Sequence, residues 1–141
     1  MVATVRRMAS AIIEFQATAA AHPDRPALRA FPDGEPLTWR EYAQRVERIA
    51  RGLWALGMRP GDAVALLLHN RPEFNLVDTA ALHLGAVPFS LGHPATAEQT
   101  AYLIGNAEPK LLVTEAGFEP AFDPVVFVEE LDALPSADFD F

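Results

Sequence analysis

The chain contains no cysteine, which excludes a disulfide framework and any thiolate-bound metal. Lysine is nearly missing: Lys110 stands alone against ten arginines. There is no uninterrupted run of about eighteen apolar residues, so no stretch reads as a membrane span. A basic stripe is absent too, and with it the electrostatic footprint of a nucleic-acid surface. No phosphate loop is present. Gly57 and Gly61 stand four apart, but no Gly-Lys-Ser/Thr follows and the next element reads as a strand. The four histidines include no pair at i,i+3 or i,i+4, so they form no metal set. Arg6 and Arg7 precede a segment interrupted by Glu14 and Gln16, which is not the pattern of a signal peptide. These absences fit a cytoplasmic protein.

What is present is a globular composition: 141 residues, half of them hydrophobic, enough for one domain or part of one. The net charge of −8 is local. Residues 1–114 carry eleven acids and eleven bases, while the last 27 residues carry eight acids, from Glu115 to Asp140, and no base. From Leu131 to Phe141 acidic and apolar residues alternate without a cap, a turn or a strand pattern.

Periodicity supplies the elements in between. Val5, Met8, Ile12, Phe15 and Ala19 recur at steps of three and four, which predicts an amphipathic helix over 4–21 ended by His22-Pro23-Asp24. Ala27 to Phe31 and Glu35 to Trp39 flank Pro32-Asp33-Gly34, a hairpin signal. Thr38 and Glu41 form a capping box. Tyr42, Val46, Ile49, Leu53 and Leu56 then mark one helix face, which Gly57 closes. Glu41 with Arg45 and Glu47 with Arg51 are i,i+4 pairs, each worth roughly 0.2–0.5 kcal/mol.

Pro60-Gly61-Asp62 turns the chain into Ala63 to Leu68, an apolar run of the kind buried on both faces of a parallel sheet. Asn70 with Glu73 then predicts a cap for a helix carrying Phe74, Val77, Ala81 and Leu84 on its apolar face, terminated by Gly85. Ala86 to Leu91 reads as a second buried strand, broken by Gly92-His93-Pro94. Thr96 and Gln99 make another capping box, for a helix reaching about Asn106. Lys110 to Thr114 and Val125 to Val128 are further strands. Strands alternating with helices predict an α/β fold of βαβ units with a parallel sheet and flanking helices, plus the N-terminal helix and small hairpin.

Taken together, His22 to Leu28, Leu37 to Tyr42, Gly57 to Phe74, Gly85 to Pro88, Thr96 to Gln99 and Leu111 to Val113 resemble the N-terminal part of an adenylate-forming (AMP-binding) enzyme. Within that superfamily the likeness is to fatty-acyl-CoA synthetases, the long-chain-fatty-acid–CoA ligases, and it covers about residues 10–115. The resemblance implies a chain that is the incomplete N-terminal subdomain of a ligase, with an acidic tail over 115–141. The complete enzyme would join a fatty or other carboxylic acid to CoA through an acyl-adenylate, using ATP and Mg2+. It supplies the chemistry through a Ser/Thr/Gly-rich loop ending in Lys, a downstream Thr-Glu pair, a ribose-binding Asp and a lysine on a mobile C-terminal domain. None of these falls in residues 1–141, so no catalytic residue is assigned here, and residues 1–141 alone are not expected to bind ATP, Mg2+ or CoA. The implied partner is the remainder of the enzyme, as a downstream domain or a separate chain. A fatty-acyl-AMP ligase, a peptide-synthetase adenylation domain and a stand-alone non-catalytic module that pairs with another chain are the alternatives. The helix over 4–21 could pack on its own domain or touch a membrane surface.

Three residues or pairs invite over-reading. Thr114-Glu115 lacks the aromatic-glycine context of the family's Thr-Glu pair and reads as a strand end. Gly57 to Gly61 is a turn, and Lys110 is a solvated residue before a strand. Of the histidines, His22 ends a helix and His83 sits at the solvent boundary of one. His69 and His93 each follow the C-terminal end of a predicted parallel strand, the edge where ligands bind in open α/β sheets. His69 and Asn70 either line a substrate or CoA channel or make a plain capping turn. For Gly92 and His93 the resemblance implies proximity to the CoA nucleotide, although relatives carry a Gly-rich or Asn-Pro version of that turn.

Overall fold

The computed structural model describes residues 10–92 and 95–141. The first helix, α1 (Ala11–Ala21), is capped by Ser10, whose Oγ accepts the Ile13 N–H at 3.3 Å. Val5 and Met8 of the expected helix lie outside the described residues. Phe15 turns its ring edge-on to Trp39, Tyr42 and His83 at 5.9, 4.9 and 5.5 Å, so this face packs on its own domain.

The hairpin is shorter and looser than its Asp-Gly signal suggests. β1 (Pro26–Leu28) and β2 (Leu37–Thr38) pair antiparallel with a register shift, and residues 29–36 loop between them. Pro32 and Pro36 cannot donate to a ladder, which keeps both out of the strands. Phe31, expected in the first strand, is 95% exposed in that loop.

α2 (Trp39–Ala55) begins with the capping box: Thr38 Oγ accepts from the Glu41 N–H and Glu41 Oε2 accepts from the Thr38 N–H at 2.8 Å. Tyr42, Val46, Ile49 and Leu53 are buried as the spacing requires. Leu56 is not; it is the C-cap and 42% exposed. Glu47 and Arg51 pair at 2.9 Å. The expected pairing of Glu41 with Arg45 is replaced, because Glu41 is committed to the cap and Arg45 reaches Asp132 at 3.6 Å. Gly57, at φ 95°, lets Met58 N–H reach the Leu53 carbonyl and Gly57 N–H reach that of Trp54, a Schellman ending.

β3 (Ala63–Leu67), α3 (Pro72–His83), β4 (Val87–Ser90), α4 (Ala97–Ala107), β5 (Leu111–Thr114) and β6 (Val125–Phe127) follow, then a short 3-10 turn over Val128–Ala133. The four strands form one parallel sheet in the order β4-β3-β5-β6. From β3 the chain moves to one neighbour through α3, then crosses back past β3 through α4 to the other. Right-handed crossovers in opposite directions place their helices on opposite faces. The packing follows: Val64, Leu66, Leu111, Val113 and Val126 join the core under α2 and α3, while Ala65, Leu67, Leu91 and Leu112 face Ile104 of α4 with Phe118 and Phe122.

Two expectations change here. β4 is an edge strand, half-exposed with Val87 at 54%, because only β3 adjoins it among the described strands. An edge is also where Pro88 is tolerated. And residues 131–141, which show no element pattern in the sequence, pack back on the domain. Leu131 is fully buried, Leu134 packs on Gly52, Phe139 meets Trp54 at 5.2 Å, and Phe141 stacks on His83 at 4.4 Å. Asp132 bridges Arg45 and Arg48, so the acidic segment answers the basic face of α2.

Candidate site at the carboxyl edge of the sheet

The connection leaving β3 runs to the α2/α3 face and the connection leaving β4 runs to the α4 face. Between them opens the crevice that adjacent strands with opposite exits create at a parallel sheet's C-terminal edge. Of the residues singled out from the sequence, Asn70 and Gly92 fall there. Asn70, with Leu68 and Phe74, faces Ser90, Leu91 and Gly92 across a cleft of about 360 Å3. Gly92 also borders a larger crevice of about 470 Å3, walled by Ala97, Ala101 and Ile104 of α4 and by Phe118 and Pro120. His93 lies outside the described residues.

Asn70 does not cap α3. The N-cap is Arg71, without a side-chain capping bond, and Pro72 occupies the first turn, where its lack of an N–H costs nothing. Asn70 is one residue too early, and its side chain is left at the cleft.

His69 is organised by a residue that reads in the sequence only as a strand end. Glu115, only 8% exposed, follows β5, and its Oε1 accepts the His69 backbone N–H at 2.6 Å and lies 3.0 Å from His69 Nδ1. Oε2 accepts from Arg71 Nη1 at 2.9 Å, and Arg71 Nε donates to Glu73 at 2.8 Å. Burial alone raises the Glu115 carboxyl, but the bonds from His69 and Arg71 outweigh it and hold it below the ordinary carboxylate range. Burial likewise raises Glu73, and Arg71 more than reverses it. Arg71 is driven up, first by Glu73. The register explains the meeting: Thr114 pairs with Leu67, and its buried Oγ donates to the Leu67 carbonyl at 2.9 Å, which sets the next residue beside the end of β3. Thr114-Glu115 is the strand end expected, but its carboxylate ties β5 to the start of α3. The signal available in sequence was an acid directly after a strand buried on both faces.

The His69 ring lies 5.0 Å from Phe118, which walls the larger crevice. The edge thus combines an imidazole, an amide and apolar walls, suited to binding and orienting. Lys110 pairs with Asp62 at 3.2 Å at the opposite end of β5, remote from this edge. His83 is half-buried rather than at a solvent boundary, because Phe141 covers it; its Nδ1 lies 2.8 Å from the Thr79 carbonyl.

A sequence model of the family described as "AMP-binding enzyme" matches residues 15–138, and so takes in the acidic segment as well. An uncharacterized protein of Mycobacterium tuberculosis is 42% identical over 112 residues, covering 79% of this chain and 64% of that protein. The L-proline–[L-prolyl-carrier protein] ligase of Streptomyces coelicolor is 38% identical over 101 residues, covering 70% of this chain but 18% of the ligase. The chain therefore spans less than two thirds of these relatives. Among solved structures, the o-succinylbenzoate coenzyme A synthetase of Bacillus subtilis in complex with AMP superposes with a TM-score of 0.81 at 24% identity, over 89% of this chain and 34% of that one. At that identity it speaks to the fold alone.

Proposed function

The chain belongs to the AMP-binding enzyme family, and from that premise we propose that it is the N-terminal subdomain of a ligase that joins a carboxylic acid to CoA through an acyl-adenylate. It contributes the sheet and one wall of the substrate or CoA channel, with His69, Asn70 and Gly92 along it. The observation that carries this is the coincidence of the family match with a crevice at the sheet's switch point, lined by Asn70 and Gly92. The likeness of Gly57 to Phe74 favours a fatty acid, while a relative named for proline keeps amino acids open. A complete ligase that draws on ATP and CoA would work where those are held, in the cytoplasm. No helix among the described residues is long and apolar enough to cross a membrane.

The described residues do not fit ATP or Mg2+. The Gly57–Gly61 turn feeds a strand rather than a helix N-terminus, and Lys110 is held by Asp62. Among the described residues no group of three acids or histidines could hold a metal. Adenylation accordingly belongs to the remainder of the enzyme. Acid-dependent exchange of pyrophosphate into ATP tests this division. The purified 141 residues should give none and should gain it when joined to the remainder of a ligase; exchange by the chain alone would overturn it.

A second reading has its own support. The Mycobacterium tuberculosis relative is itself short, since 112 aligned residues make up 64% of it. Short members of the family would then be non-catalytic modules that pair with a separate chain. A defined one-to-one complex with a separately encoded ligase remainder, seen by size exclusion with light scattering, would favour that reading.

A further inference from the structure

We infer that the free edge of β4 seats a fifth parallel strand, an extended apolar segment supplied by the remainder of the ligase. This rests on reading the chain as a ligase subdomain, and it names the surface through which the remainder joins it.

The backbone at this edge is open. Val87 and Leu91 donate their N–H groups to the carbonyls of Asp62 and Leu66, each at 2.8 Å. Backbone groups alternate along a strand, so Pro88 and Ser90 direct theirs away from β3. Among the described residues no strand lies on that side, and Ser90 is exposed. The register sets Val87 and Phe89 beside Ala63 and Ala65 on the α4 face, where Val87 is exposed. Strands of an all-parallel sheet are ordinarily buried on both faces. β4 is a parallel strand with one neighbour missing.

Handedness selects this edge over that of β6. The segment after β6 runs over the α2/α3 face: Leu131 is buried in that core, Leu134 packs on Gly52 of α2, and Phe141 stacks on His83 of α3. It travels from the β6 side of the sheet toward the β4 side. α3 moves in the same direction over the same face as it joins β3 to β4, the right-handed crossover of a βαβ unit. A connection that keeps the course of residues 131–141 reaches the outer side of β4 with the same hand. A strand outside β6, reached over this face, would need the left-handed crossover that parallel sheets almost never contain.

Bond geometry favours such a guest over a second copy. A parallel strand would use the Pro88 carbonyl and both backbone groups of Ser90, losing only the N–H that Pro88 lacks. Two copies about a two-fold axis would pair antiparallel and forfeit that bond in each. The guest has a source, because the part of the proline ligase matched by this chain is 18% of that enzyme.

Amide exchange on the 15N-labelled chain tests the proposal. In the 141 residues alone the Leu91 N–H should exchange slowly and the Ser90 N–H fast. Ser90→Pro removes an N–H without a partner among the described residues and should leave the urea unfolding midpoint nearly unchanged. Phe89→Pro removes an N–H that faces β3 and should lower it. Ser90 as slow as Leu91, or equal losses in the two variants, overturns the open edge. The chain is then joined to the part of the Bacillus subtilis o-succinylbenzoate coenzyme A synthetase that it does not cover. There Ser90 should slow to the rate of Leu91. Ser90 still fast beside a protected Leu91 overturns the proposal. So does protection of Ser90 in the chain alone together with a dimer in light scattering, which gives the edge to a second copy. Pyrophosphate exchange by the joined enzyme tests the family reading, and these amide rates do not depend on it.

Discussion

A Cβ placed on Gly52 would lie 2.7 Å from the Cβ of Leu134, closer than real side chains approach. Glycine is what lets the acidic segment cross α2 at this point. In an exposed helix Gly→Ala gains about 1 kcal/mol, but here Leu134's Cβ moves only with its backbone. Gly52→Ala should lower stability by about 1–2 kcal/mol, within the range for overpacking. In a Leu134→Gly background the same substitution should stabilise. Urea unfolding of the four proteins checks this, and a stabilising Gly52→Ala in the unsubstituted chain would show that the segment does not hold the described position.

His83 predicts a pH dependence. Burial disfavours its charged form and places its titration below the ordinary imidazole value, partly countered by the Thr79 carbonyl; Nε2 is buried with no hydrogen-bond partner. The unfolded chain therefore takes up the proton first as pH falls. The contribution is complete above about pH 6.5 and is lost as pH drops toward the depressed folded value. His83→Phe, which keeps an aromatic face against Phe141, should flatten stability over that window. Unfolding at about pH 7.5 and about pH 5.5 decides it, and equal losses in both proteins would count against the buried neutral ring.

The two capping boxes should behave differently. Thr38 and Thr96 make the same bonds, to Glu41 and to Gln99. α2 buries six side chains or glycines, whereas α4 has no buried residue. Thr38→Ala should cost about 1 kcal/mol of global stability. Thr96→Ala should fray α4 first, with faster amide exchange at its N-terminal turn and a smaller change in the unfolding midpoint. Equal midpoint shifts would mean that α4 is coupled to the core more tightly than its burial indicates.

Much of the frame is local and therefore legible in the chain. The capping boxes need residues three apart, the Gly57 and Gly85 stops need one residue able to take positive φ, and the α2 stripe needs steps of three and four. The carboxyl edge of the sheet was legible as a place, since it follows from the order of strands and helices, but its contacts were not. His69 and Glu115 are 46 residues apart, and only the Leu67–Thr114 register brings them together. Asn70 fitted a cap pattern whose actual cap is the next residue.

By itself, then, the sequence determined the α-helices and strands, their boundaries to within a few residues except at the start of α1, the parallel α/β class and the family likeness around Gly57 to Phe74, because those depend on backbone preference and on side-chain period. The tertiary structure decided that β4 lies at an edge, that residues 131–141 return across α2 and α3, that His83 is covered, and that Glu115 meets His69. Burial and hydrogen-bond partners depend on which distant surface comes back to a residue, and period along the chain carries no information about that.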